Sequence, residues 1–314
     1  MTPEPVAATP TRRRAAYWHT ALTLTVLVAA IWLAQRHWPM LETGAVRLAV
    51  ADQGWLLVAG IAAIGTWLCA ALAQQGAVPE RLPQGRLVAA QFAASAANHV
   101  LPAGLGAGAV NLRFLMRCGL SAARAATGVA VKGTAGVIGR AALIASLAVA
   151  CPGVLRVPEV SPVFMLATAV ATVAIALPAA LFRQRCRRVL GTALADIRAV
   201  HARPRRAVAL WGGSLAFALL HCAVLIAVTQ AVALPLPPLR VALLYLAASS
   251  AAALLPTPGG LGSLDAALAL ALTGAGAPAA GAASAVLGYR LLTVWLPLLP
   301  GLLVLGVLIR RKAL

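Results

Sequence analysis

The chain of 314 residues is 61% hydrophobic and only 11% charged, against roughly 45–50% and about 25% in soluble domains. Its seven acids, Glu4, Glu42, Asp52, Glu80, Glu159, Asp196 and Asp265, are too few and scattered for a hard-cation site or a paired-carboxylate hydrolase. The net charge of +19 would suggest nucleic acid in a soluble protein, but here the arginines cluster at the ends of apolar runs. That distribution fits the positive-inside rule and attraction to anionic lipid, and no nucleic-acid partner is expected.

In chain order, residues 1–15 read as a cytoplasmic tail ending near Arg12-Arg13-Arg14. The apolar stretch 20–34 behind it imitates a signal peptide, but the many later spans favour an uncleaved first helix. A hydrocarbon core of about 30 Å needs roughly 20 apolar residues in a helix. Runs of that kind lie near 18–38, 54–75, 121–151, 160–182, 207–230 and 277–309. Two more apolar regions, 86–118 and 238–274, are broken near the middle by proline and glycine. Trp18, Trp38, Trp55 and Trp295 lie toward segment ends, as interfacial anchors do, whereas Trp32, Trp67 and Trp211 are read as packing residues. Cys69, Cys118, Cys151, Cys186 and Cys222 have no zinc or disulfide spacing and read as free thiols.

The segment 183–206 holds Arg183, Arg185, Arg187, Arg188, Arg198, Arg203, Arg205 and Arg206 against Asp196 alone. Loops 39–53, 152–159 and 231–239 carry few cations. The basic loop and both termini are therefore expected in the cytoplasm, in a multi-pass protein of the cell membrane. The first membrane half is 16–182, the basic loop 183–206 and the second half 207–314. The second repeat begins with span 160–182.

The broken regions resemble each other. Pro102-Ala103-Gly104-Leu105-Gly106 and Pro258-Gly259-Gly260-Leu261-Gly262 share P-x-G-L-G at a spacing of 156 residues. The spans 54–75 and 207–230 keep nearly the same offset. Arg81, Arg86, Arg113, Arg117 and Arg124 flank the first region, so it begins and ends inside, while counting crossings puts both ends of the second outside. The halves then have opposite orientation, as in many secondary transporters. Backbone groups freed at such breaks are tolerated in lipid only where protein or a water-filled cavity covers them. Two re-entrant hairpins from opposite faces are the economical arrangement; two ordinary pairs of short helices with interfacial turns keep the same crossing parity. The expected fold is all-α and polytopic, with about eight membrane segments in two inverted repeats and no room for a separate soluble catalytic domain.

A helix over 261–273 would aim its unpaired N–H groups and positive dipole end at a phosphate or carboxylate. Gly259, Gly260 and Gly262 allow close approach there, and Pro102 and Gly104 are their counterparts in the first region. Asp265, in that helix's first turn, either complements the dipole or serves function. Lys132, Arg140 and Arg290 are the cations expected inside the membrane, each at roughly 2.5–3.5 kcal/mol near a helix centre. Arg290 is placed to pair with Asp265 or to bind a lipid phosphate; snorkelling to an interface competes for all three. Lys132 lies 13 residues past Gly119 and Arg290 lies 14 past Gly276, comparable depths in the two repeats. Asn98, His99, Asn111 and Arg113 flank the first break, where side-chain amides satisfy freed backbone. His221 reads as a packed, hydrogen-bonded histidine. Gly128, Gly133, Gly136 and Gly139 would let helix 121–151 pack closely. No nucleophile–base pair or cofactor motif appears, so neither an enzyme nor a cofactor is expected.

Pro258 to Gly262, then Asp265, Gly276, Tyr289-Arg290-Leu291-Leu292-Thr293-Val294-Trp295-Leu296-Pro297 and Gly301 resemble the membrane region of lysylphosphatidylglycerol synthase, the flippase-like membrane proteins. Asn98 to Pro102, Arg113 and Gly119 extend the likeness, which runs from about residue 15 to 310. The resemblance implies about eight membrane segments and the flipping or trafficking of polar lipids between leaflets. Members often carry an acid soon after the first Pro/Gly motif and more charge in the following helix. Here those places read Gly106-Ala107-Gly108-Ala109 and Val131-Lys132-Gly133-Thr134. The synthase's aminoacyl-transfer domain has no counterpart before Leu314, so aminoacyl transfer is not carried over. The expected function is translocation or handling of a polar, anionic or phosphate-bearing lipid. The alternative is a non-transporting scaffold for a lipid- or envelope-modifying enzyme, with that enzyme or a second copy of the chain as protein partner.

Overall fold

Long alanine- and leucine-rich runs have no alternative to helix in a hydrocarbon layer, where each segment must satisfy its own backbone. The computed structural model describes residues 46–100, 105–151, 201–253 and 262–311, with Ala195, Ile197, Arg198 and Leu314. Spans 18–38 and 160–182, most of the basic loop, and Pro102, Gly104, Gly259 and Gly260 lie outside the described residues. Among the described residues there are helices and no strands. The protein is a multi-pass membrane protein, all-helical among the described residues.

Among the described residues four helical segments are long and apolar enough to cross a membrane. They are α1 (Gln53–Gly76), α4 (Ala122–Ala150), α5 (Pro204–Ala231) and the composite Ala279–Arg310. Asp52 caps α1 by accepting from the Gly54 and Trp55 amides at 2.7 and 3.1 Å, and Ser121 caps α4. Pro204 at the first turn of α5 loses no helical bond. Helix α1 buries its small residues, Ala59, Ala62, Ala63, Thr66, Ala70 and Ala73. Its large ones, Leu57, Ile61, Ile64, Leu68 and Leu72, are at least half exposed along one stripe. A water-facing surface would reverse that order; a lipid-facing one produces it.

The two broken regions become two helix pairs. Helices α2 (Gln84–Val100) and α3 (Leu105–Arg117) pack on each other, as do α6 (Pro238–Ala253) and α7 (Ser263–Gly274). At 1.5 Å per residue they are roughly 18–26 Å long, short of a hydrocarbon layer of about 30 Å. Both pairs end in the same turn. Gly119 and Gly276 have φ of +94° and +98°. The next amide reaches back five residues, Leu120 to the Leu115 carbonyl at 3.2 Å and Ala277 to the Leu272 carbonyl at 3.0 Å. This closes the helix in the left-handed turn that glycine tolerates best.

The composite span divides into α8 (Ala279–Arg290), a π-helical turn (Leu291–Trp295) and α9 (Leu296–Arg310). The apolar run 277–309 by itself predicts one uninterrupted helix. Pro297 and Pro300 withhold two N–H donors and crowd the carbonyls four residues back, so the ladder widens just ahead of them.

The centre of the molecule is an antiparallel contact of α1 with α5. Asp52 N–H donates to the Ala231 carbonyl at one end (3.0 Å). At the other, a methyl added to Gly76 would stand 2.3 Å from Leu210 N, and one on Gly213 2.7 Å from Ala73 N. Around this axis the contacts are reciprocal. Helix α9 packs against α2, and α4 packs against α6, so each of these long-span helices, which follow one short pair, packs against the first helix of the other. Gly301 of α9 makes its crossing close, with an added methyl 2.7 Å from the Ala96 Cβ.

Candidate functional site

Helices α1 to α8 and the π-turn wall one cavity of about 540 Å³. Helix α4 contributes a face of small and cationic residues, Lys132, Gly133, Gly136 and Arg140. Sequence reading made Gly128, Gly133, Gly136 and Gly139 close-packing positions, and they divide into two kinds. Methyls on Gly128 and Gly139 would meet Val78 at 2.6 Å and Leu215 at 3.2 Å, whereas Gly133 and Gly136 have nothing within 4 Å. The latter two keep the cavity open.

Lys132 Nζ donates to Gln91 Oε1 of α2 at 2.6 Å. Gln91 Nε2 donates to Asn111 Oδ1 of α3 at 2.6 Å, and Asn111 Nδ2 to the Ala107 carbonyl at 2.8 Å. Asn111 therefore braces an ordinary helical carbonyl and links the first pair to Lys132, rather than repairing freed backbone at the break. Arg140 donates to Ser249 Oγ of α6 at 3.0 Å. Neither Lys132 nor Arg140 has an acidic partner among the described residues. Two cations thus face one cavity inside the membrane region, held by neutral amide and hydroxyl groups.

Arg290, 4% exposed, ends α8 at the π-turn and is ion-paired with Asp265 of α7 through its Nε. The second Asp265 oxygen accepts from the Gly262 amide at 2.9 Å. Gly262 is the left-handed residue (φ +81°) that precedes α7, whose first residue is Ser263. Asp265 caps its own helix and orients Arg290. Arg290 and Leu264 line the cavity, while Gly262 and Asp265 do not. Asn98 and His99 line it as well. The tip residues Pro102, Gly104, Gly259 and Gly260 lie outside the described residues.

His221 of α5 is packed and hydrogen-bonded as expected. Its Nδ1 lies 3.0 Å from the Tyr289 hydroxyl, which donates to the Tyr245 hydroxyl at 2.9 Å. Phe217 meets its ring edge-on at 4.7 Å, and Tyr245 stacks on it at 6.1 Å. This aromatic wall joins α5, α6 and α8 beside Arg140 and Arg290.

The wall also holds Gln74 of α1, wholly buried, whose amide oxygen and nitrogen have no hydrogen-bond partner among the described residues. A buried primary amide left unmatched costs about 1–3 kcal/mol.

A cationic cavity inside a helical membrane protein, framed by two glycine-closed helix pairs, is the setting for one comparison. The sequence profile of the lysylphosphatidylglycerol synthase TM region matches residues 20–301. The chain belongs to this family. It is accordingly a membrane protein of a lipid-handling family, and no curated protein matches the chain.

Against that membership, sequence reading singled out Lys132, Arg140 and Arg290, and the structure gathers them at one cavity. It missed Gln74, Gln91, Tyr245 and Tyr289. The two glutamines carried a usable signal, since each is a primary amide near or inside an apolar run, where amides must find partners. Tyr289 opens the run that carries the family resemblance, but nothing there gave its hydroxyl a role; Tyr245 carried no signal, because a lone tyrosine in an apolar helix reads as packing.

Proposed function

We propose that this protein moves an anionic, phosphate-bearing lipid between leaflets, with the headgroup travelling through the cavity lined by Lys132, Arg140 and Arg290. The observation that carries the reading is the pair Lys132 and Arg140, cations without acidic partners among the described residues, facing a space walled by both helix pairs. Each costs roughly 2.5–3.5 kcal/mol in a membrane interior, and an entering phosphate would offset that cost through charge-assisted hydrogen bonds. A scaffold gains nothing from placing them there, and the described residues of the site bring together no nucleophile–base pair that would favour an enzyme.

The reciprocal packing of α9 on α2 and α4 on α6, with matched turns at Gly119 and Gly276, supports reading the halves as inverted repeats. The short pairs α2–α3 and α6–α7 are then re-entrant hairpins entering from opposite faces, with both chain termini cytoplasmic. Rocking one repeat against the other about α1–α5 would expose the cavity to each leaflet in turn.

The test reconstitutes the full chain in liposomes and follows leaflet exchange of fluorescent phospholipids. We expect faster exchange of anionic phospholipids than in protein-free liposomes, lost in Lys132→Gln and Arg140→Gln. Equal rates for anionic and zwitterionic lipids, or no acceleration, reject the proposal.

A further inference from the structure

Resting on that reading, we infer that the cavity takes a phosphate headgroup bearing free hydroxyls and no positive charge, a glycerol- or sugar-phosphate. The aminoacylated headgroup for which the family is named does not fit it. Charge gives the first argument. No Asp or Glu is among the described residues lining the cavity, and the nearby carboxylate of Asp265 is engaged by Arg290 and the Gly262 amide. Lys132 and Arg140 are held by the neutral Gln91 and Ser249. An ammonium entering with the phosphate would meet two cations and no acidic side chain among the described lining residues, in surroundings where such repulsion is poorly screened.

Gln74 gives the second, independently of charge. It is 0% exposed in the cavity wall, with a donor and an acceptor both unmatched among the described residues. A hydroxyl donates and accepts, so two hydroxyls satisfy both ends of an amide; aminoacylation consumes one of the two on a glycerol headgroup and adds an ammonium, which only donates and cannot serve the Gln74 nitrogen. Ser95, Asn98 and Ser214 extend the same neutral polar lining. The cations would hold the phosphate and the amide wall would read the polyol.

The experiment measures binding, not transport. Full-length protein in phosphatidylcholine nanodiscs is loaded with labelled phosphatidylglycerol. The competitors are unlabelled phosphatidylglycerol, phosphatidic acid, lysyl-phosphatidylglycerol and soluble glycerol 3-phosphate. Phosphatidylglycerol should compete about tenfold better than the lysyl form. Gln74→Leu should weaken phosphatidylglycerol about tenfold while leaving phosphatidic acid, which lacks the polyol, within about twofold. Ser214→Ala is the second variant should Gln74→Leu fail to fold, and a smaller loss with the same lipid selectivity is expected of it. Equal or tighter binding of the lysyl lipid overturns the inference, as does a Gln74→Leu effect equal for both anionic lipids. Competition by glycerol 3-phosphate as strong as by the lipid would keep the headgroup chemistry and overturn the lipid as its source. Selective binding without leaflet exchange would leave this inference standing and sink translocation, so the two fail separately.

Discussion

Lys132 and Arg140 share one face of α4 about 12 Å apart along its axis, yet each is held from a different half of the molecule. Lys132 is fixed by Gln91 in the first helix pair and Arg140 by Ser249 in the second. Gly133 and Gly136 lie between them, and a methyl added to either would meet nothing within 4 Å, so the surface of α4 between the two cations has open space beside it, room for the proposed track. Under the proposed function, a headgroup leaving the cation held by one helix pair would have a second cation within reach, held by the other pair.

That arrangement predicts different effects for filling the track and for tightening the scaffold. Gly136→Leu should slow leaflet exchange at least tenfold while leaving the melting temperature near that of the parent. Gly136→Ala should be neutral or gain about 0.5–1 kcal/mol, the usual effect of replacing a helical glycine. Gly76→Ala, by contrast, would collide with the backbone of Leu210 and should lose about 1–3 kcal/mol by overpacking. Thermal melts in detergent compare the three, and a stable, fully active Gly136→Leu protein would refute the track.

Arg290 and Asp265 form a pair of unequal burial, with side chains 5% and 34% exposed. Breaking a buried ion pair costs about 3–5 kcal/mol. Water reaching Asp265 reduces that, and Asp265→Asn should lose about 1–2 kcal/mol. Arg290→Gln should lose a similar amount, and the double variant less than the two together, because neither then leaves an unmatched charge. A double-mutant cycle on melting curves measures the coupling; strict additivity would mean the pair contributes nothing.

Turnover should respond to Lys132 and Arg140 separately from stability. Replacing either with glutamine removes a half-buried charge while keeping a hydrogen-bonding side chain, so the fold should hold or improve slightly. Exchange of an anionic lipid should fall about tenfold or more, with a smaller effect on any residual zwitterionic exchange. Equal losses in both lipid classes would point to general damage instead of lost phosphate recognition.

Cys118 and Cys151 flank α4, whose 29 residues separate them by about 44 Å. With the arginine-flanked end inside, an impermeant maleimide applied to intact cells should label Cys151 and spare Cys118 in variants lacking the other cysteines. After permeabilisation Cys118 should react slowly at neutral pH. Burial raises its thiol above the ordinary value, partly opposed by Arg86, so less thiolate is present and the rate should climb as pH rises through that value. Labelling of Cys118 in intact cells would invert the proposed orientation.

The membrane class, the limits of α1, α4 and α5, the two interrupted regions and the family are legible in the amino-acid sequence. Each of these is written in local composition, since apolar length, terminal arginines and proline–glycine breaks act on the backbone within a few residues. It also flagged Lys132, Arg140 and Arg290, because a cation inside an apolar helix is costly wherever it ends up. Tertiary structure alone decided that the three face one cavity, that Asp265 stands behind Arg290 and outside that cavity, and that Gln74 is buried with no partner among the described residues. It also sorted the glycines of α4 into packing and open positions, and placed a π-turn after Arg290. Those properties depend on which helix lies opposite, and for residues such as Gln91 and Lys132, 41 positions apart, no local pattern encodes the neighbour.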